Sequence, residues 1–250
     1  MGVHEFRSIS QVGTSEPFEL QVARGQIPAH KKVHKFGFNP LVQDSEETIW
    51  DAGGIYAYPS SAVAMTVTSA AGATDSGVKV TVQGLDANYN EVSEEVTLNA
   101  SGTETTNQTY FRVFRAFISG DTAGTGLISI TNTAVTYAQI AVGENQTLMA
   151  VWTVPAGYTA YMLQNNTTCY TEANNKFGIT RLVTREPDGV FKTQDKHTVV
   201  LSQNVIQYPI PNAISEKTDI EMRAIASSSN ANLQVSASFD IVYIKNDGSL

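Results

Sequence analysis

Alternation with a period of two runs through most of this chain and narrows the possible folds more than any other feature. Val63, Met65 and Val67 are separated by small or polar residues, as a half-buried strand requires. Val78, Val80 and Val82 repeat the pattern after the Gly-rich turn AGATDSG, and Val92, Val96 and Leu98 repeat it after GLDANYNE. In YFRVFRAFI, Phe111, Val113 and Phe117 oppose Arg112 and Arg115, and Ile128 and Ile130 continue the series. Further runs are TLMAVWTV, the segment through Tyr161 and Leu163 after the Pro155-Ala156-Gly157 turn, FGITRLVT, KHTVVLSQ, NLQVSASF and DIVYIK. AISEKTDIEMRAIA comes closest to a helical window, but Thr218, Ile220, Met222 and Ala224 also alternate, so it too reads as strand.

The pattern predicts an all-β chain. An extended N-terminal arm over residues 1–44 precedes a β-sandwich module over 45–142 and a second β-sandwich or jelly-roll module over 143–250. A single larger jelly roll is the competing arrangement. No period of about 20–50 residues recurs, which argues against a solenoid or propeller.

Composition removes several functional classes. Asp plus Glu number 24 against 16 Lys plus Arg, a net charge of −8, which is the wrong sign for a general nucleic-acid binder. Only 16% of residues are charged while 42% are hydrophobic, the reverse of a disordered chain. A single cysteine, Cys169, leaves no internal disulfide and no multi-cysteine metal site, and its setting in NNTTCY suggests a small buried hydrophobe. No apolar run reaches the length of a membrane span, and MGVHEFRSIS lacks the apolar core of a secretory signal. We therefore expect neither a nucleic-acid nor a membrane partner.

Catalytic signatures are missing from the sequence. There is no G-x-S-x-G elbow, no phosphate-binding glycine loop and no histidine in a convincing catalytic setting. His197 reads as a surface strand residue. Asp86, Asn88 and Asn90 have the opening spacing of a calcium loop, but Glu91 stands where glycine is needed and Thr97 where the bidentate glutamate belongs. An Asx-rich turn is the better reading. The expectation is a non-enzyme without cofactor or metal. Trp50, Tyr56 and Tyr58 in IWDAGGIYAYP are open to two readings, packing at a domain entrance or a glycan platform.

The basic charge concentrates in QVARGQIPAHKKVHK. There His30, Lys31, Lys32, His34 and Lys35 are the candidate partner-binding residues, on an arm that is either simply solvated or lies on an acidic neighbour. Pro28, Gly37 and Pro40 oppose a helix, so His30 and His34 are not expected to form a metal pair.

Several stretches together resemble one family. GQIPAHKKVHKFGFNP (Gly25 to Pro40), EETIWDAGGIYAYP (Glu46 to Pro59), VQGLDANYNEVSEEVTLNA (Val82 to Ala100), YFRVFRAFI (Tyr110 to Ile118), NQTLMAVWTVPAGYTAYM (Asn145 to Met162) and EKTDIEMRA (Glu216 to Ala224) are similar to virion structural proteins of tailed bacteriophages, especially aquatic and marine ones. The resemblance spans Gly25 to about Ile244. It implies a mostly β particle component, assembled in the bacterial host cytoplasm, with no catalytic residues to carry over. It leaves head, neck and tail open. An acidic β protein with a basic arm suits a head decoration (cement) protein, commonly a homotrimer that binds the major capsid protein shell. A tail or neck component with a receptor- or carbohydrate-binding role is the alternative.

Overall fold

The computed structural model describes residues 16–229 and 231–246, and its first strand begins inside the expected arm. A short helix, α1 (Phe18–Ala23), leads into β1 (His30–Val42) and β2 (Glu47–Thr48). Seven strands follow: β3 (Val63–Ser69), β4 (Lys79–Leu85), β5 (Glu91–Thr97), β6 (Thr103–Tyr110), β7 (Arg112–Ile118), β8 (Ile128–Asn132) and β9 (Val135–Ile140). The remainder supplies β10 (Val151–Thr153), β11 (Tyr158–Tyr170), β12 (Gly178–Arg185), β13 (Lys192–Val199), β14 (Gln203–Gln207), β15 (Ala213–Ile214), β16 (Asp219–Ala226) and β17 (Leu233–Lys245).

The strands form two sandwiches, one nested in the chain of the other. The inner sandwich packs the sheet β6-β3-β8-β9 against β5-β4-β7. Val67, Val80, Val82, Tyr110 and Ile130 meet in its core, so the alternation in these runs does point one face inward. The outer sandwich packs β1-β17-β11-β14, with β15 also on β11, against β10-β16-β12-β13, with β2 on β16. Trp152, Ile220, Leu233 and Phe239 are central to its core. The all-β class therefore holds throughout, with α1 and one 3-10 turn at Gly72–Asp75 as the helical exceptions among the described residues.

The expected arm needs correcting over its last part. β1 pairs antiparallel with β17 from His30↔Ile244 to Val42↔Leu233, so it is a strand of the outer sandwich. Its pattern misled because the side turned inward carries Val33, Lys35, Gly37 and Asn39, while the aromatic Phe36 and Phe38 lie on the other side. Residues 1–15 of the expected arm lie outside the described residues. The outer sandwich thus draws strands from both sides of the inner one, whereas the expected second module began at residue 143.

The chain enters and leaves the inner sandwich at one place. Ile49 belongs to the outer core and Trp50 to the inner; Ala150 belongs to the outer and Met149 to the inner. The two crossings are stitched together by the Trp50↔Met149 bridge and by the Ala150 N–H bond to the Ile49 carbonyl, 3.0 Å. Gly37 passes this point so closely that a Cβ there would lie 2.2 Å from the Ile49 carbonyl oxygen and 2.4 Å from the Ala150 nitrogen. Only glycine fits.

Candidate functional site: the junction and the outward face of β1

Because successive side chains of a strand point to opposite faces, β1 divides the five candidate residues into two groups. His30, Lys32 and His34 lie on the outward side, while Lys31 and Lys35 share the side that meets the inner sandwich. The structure does not gather them into one patch.

On the junction side, Lys31 reaches Glu91 of β5 at 2.5 Å. Glu91 also accepts the Tyr243 hydroxyl at 2.8 Å, and the ammonium sits 5.2 Å from the centre of the Tyr158 ring. Burial pulls the Lys31 pKa down, but the hydrogen bond and charge of Glu91 outweigh it and hold the group above its ordinary value. Lys35 is only 6% exposed and donates to the Phe114 carbonyl of β7. Burial, with the nearby Arg115 charge adding to it, lowers its pKa to about 7. An enclosed Lys35 cannot form part of an exposed binding surface, which corrects that expectation. It serves as a contact between the sandwiches.

On the outward side, His30 Nδ1 lies 2.8 Å from the Pro28 carbonyl and its ring meets Phe18 edge-on. His34 Nδ1 lies 2.6 Å from Asp240 Oδ1 and its ring stacks on Phe36 at 5.8 Å. Lys32 is exposed and borders a groove of about 610 Å³ beneath α1.

The densest set of ionisable groups sits elsewhere, on the non-core face of β16. In that strand Ile220, Met222 and Ala224 enter the outer core, so Asp219, Glu221 and Arg223 face the other way, where residues 46–60 and the inner sandwich cover them. Asp219 accepts Arg112 Nε at 2.7 Å, Arg185 Nη2 at 2.6 Å and the Thr153 hydroxyl at 2.7 Å. Arg112 comes from β7 of the inner sandwich, so this is a tie between the two. Burial opposes its charge, but Asp219 more than compensates and keeps the guanidinium pKa above its ordinary value. Glu221, fully buried, accepts Arg223 Nε at 2.9 Å, the Thr48 hydroxyl and the Tyr58 hydroxyl. Burial raises its pKa against the pull of these partners. Glu46 takes both Arg181 and Arg223.

Aromatic rings fill the spaces between these charges. Trp50, Tyr56 and Tyr58 stack edge-to-face at 5.3 and 4.7 Å, and the Arg185 guanidinium lies 4.3 Å from the Tyr58 ring centre. Trp50 is 4% and Tyr56 2% exposed, so this trio packs the entrance to the inner sandwich and is not a glycan platform. The sequence reading missed Arg112 and Asp219 as partners. Its one available signal was two acids and an arginine, Asp219, Glu221 and Arg223, alternating with apolar residues in a strand whose other face is fully apolar.

Other candidates resolve locally. Asp86 Oδ1 accepts the N–H groups of Asn88 and Asn90 at 2.8 and 2.9 Å, the bonding of an Asx turn. His197 is half-buried, and its Nε2 is enclosed without a hydrogen-bond partner, unlike the surface residue expected. Among the described residues no group of three or more His, Cys, Asp or Glu could hold a metal ion, and no helix is long and apolar enough to cross a membrane.

No family model matches the chain, and no curated protein matches it. Solved structures of infectious bursal disease virus align at low similarity. The Gx strain structure is 11% identical over 88% of this chain and 73% of that one, with a TM-score of 0.29. The virus-derived T=1 particle is 13% identical over 92% and 75%, at 0.24, and the VP2 subviral particle 12% identical over 93% and 79%, at 0.21. Scores this low do not define a shared fold.

Proposed function

We propose that this chain is a structural component of a tailed-phage virion, a head decoration protein that binds the major capsid protein shell. The observation that carries the reading is the Arg112–Asp219–Arg185 tie. With the buried Lys35–Phe114 hydrogen bond, it commits buried polar contacts to holding the two sandwiches together, the property a clamp across neighbouring subunits needs. The stretches similar to phage virion proteins supply the context, and several of them, including FRVFRA and EKTDIEMRA, contribute directly to this junction.

Contact with neighbours falls to surfaces the fold leaves open. Strands β13 and β14 end their sheets, and the turn between them exposes Val200 and Leu201 at 58% and 54%. Exposed strand edges flanked by apolar residues favour association, and we assign this flank to self-association as a homotrimer. Lys32, which makes no ion pair among the described residues, is the cation of the basic stretch left to meet an acidic shell.

Copy number in purified particles tests the assignment. Hundreds of copies are expected. A count of roughly six or twelve would move the protein to the neck or tail, and absence from particles would overturn the reading altogether. The tail reading keeps one observation in its favour, the polar and aromatic outward face of β1 and its neighbours.

A further inference from the structure

On the outward face of the sheet β1-β17-β11-β14, beyond the His30–Ile244 and Lys32–Val242 pairs, three rungs follow. One crosses His34, Asp240, Gln164 and Gln207; the next Phe36, Ser238, Asn166 and Val205; the last Phe38, Ser236, Thr168 and Gln203. Adjacent rungs are two residues apart, about 7 Å, and adjacent strands about 4.8 Å apart. The face is therefore an aromatic column on β1 beside two columns of hydroxyls and amides.

It is also concave. An open depression of about 310 Å³ bounded by Phe36, Phe38, Asn166 and Ser238 borders, at His34, a separate groove of about 610 Å³ beneath α1. These sizes suit small-molecule clefts, which run about 300–1,000 Å³.

The chemistry of the rungs selects among ligands. No Leu, Ile, Met or Arg occurs in them, and these, Leu apart, are the residues that with aromatics anchor protein interfaces. An apolar ligand would strand the hydroxyls and amides without partners. The one carboxylate, Asp240, is already engaged by His34 and Gln164, and the unpaired cation of this side, Lys32, lies beyond His34 at the end away from Phe36 and Phe38, so the three rungs themselves offer no free charge to an ionic ligand. The Ser238 hydroxyl and the Asn166 Nδ2 make no hydrogen bond within the described chain, while Asn166 Oδ1 is held by Gln203 at 3.2 Å. Half-exposed rings beside fixed donors and acceptors match a ligand with one apolar face and a hydroxylated rim.

We propose that this sheet face binds a neutral oligosaccharide, with pyranose rings stacked on Phe36 and Phe38 and hydroxyls exchanging hydrogen bonds with Ser238, Asn166 and Ser236. The proposal rests on the sheet face alone and holds for a particle component at any location.

Calorimetric titration of the full chain with maltohexaose, cellohexaose, chitohexaose and mannohexaose, and with hyaluronan as an anionic control, tests it. At least one neutral oligosaccharide should bind. Phe38→Ala should weaken it about tenfold, the upper range of one aromatic contact. Ser238→Arg, which fills the depression from a half-exposed position, should abolish binding while leaving the melting temperature and solution mass unchanged. This second variant keeps the test decisive if Phe38→Ala destabilises the strand. Binding by none of the four, affinity untouched by Ser238→Arg, or binding of hyaluronan alone would overturn the proposal. So would a drop in solution mass on Ser238→Arg, which would make the face an interface between copies. Particle copy number does not enter this test, so the two readings fail separately.

Discussion

Arg112 on the inner sandwich and Asp219 on the outer one meet in a two-point contact, Nε at 2.7 Å and Nη2 at 3.2 Å, with 8% and 2% of their side chains exposed. Removing one member of a buried pair typically costs about 3–5 kcal/mol by leaving the other charge unsolvated, and the low end, about 3 kcal/mol, applies here because Asp219 keeps Arg185 and Thr153. Arg112→Met should lower unfolding stability by about that amount. It should also separate a single calorimetric transition into two, because the tie couples two distinct cores. A single transition with unchanged stability would show that the sandwiches do not depend on it.

Lys35 gives stability a pH slope of predictable sign. An unfolded lysine titrates at 10.5 and Lys35 in the fold at about 7, so between these values the unfolded chain holds a proton that the folded chain has released. Stability from this group therefore rises as pH increases from about 7, by at most about 1.4 kcal/mol per unit, and falls away again on acidification. Urea midpoints from pH 7 to 9.5 should show the rise in the wild type and a flatter profile in Lys35→Met.

Asp51 acts in the opposite sense at lower pH. It follows the crossing residue Trp50, and both carboxylate oxygens are enclosed without a well-formed hydrogen bond. Burial is the main cause that raises its pKa from 3.8 to about 7, and the Glu144 charge adds to it. Between those values the folded chain keeps a proton that the unfolded chain has lost, so this contribution diminishes as pH rises from about 4 to 7. Asp51→Asn should remove that decline in denaturation midpoints across the same range.

Cys169 should be silent toward thiol reagents in the native protein. It is 4% exposed in the outer core, and burial pushes its pKa up to about 12. Colorimetric thiol titration should give no fast reaction at pH 8 and one equivalent in denaturant. Rapid native labelling would show that the outer sandwich opens readily.

The inner sandwich was legible because its runs carry their own partners. Val80 and Val82 alternate cleanly, and β4 pairs with β5 and β7, both within the same segment. The outer sandwich was harder. β1 turns Lys35 and Gly37 inward and two phenylalanines outward, and its partner β17 lies at the far end of the described chain. Alternation names a strand but not its neighbour, so nothing in HKKVHKFGF distinguishes a paired strand from an extended arm. The Arg112–Asp219 contact was hidden for a related reason. Both residues sit on strand faces that would be solvated in an isolated sandwich, and only the docking of a second one buries them.

The side-by-side crossings at Trp50 and Met149 make everything from residue 51 to 148 a cassette held in a single doorway. A foreign domain whose own termini lie one strand spacing apart could be spliced there without rerouting any hydrogen-bonded rung of the host sheets. Such a graft would leave Asp219 to Arg185 and Thr153 alone, since the original cargo carries Arg112 away with it.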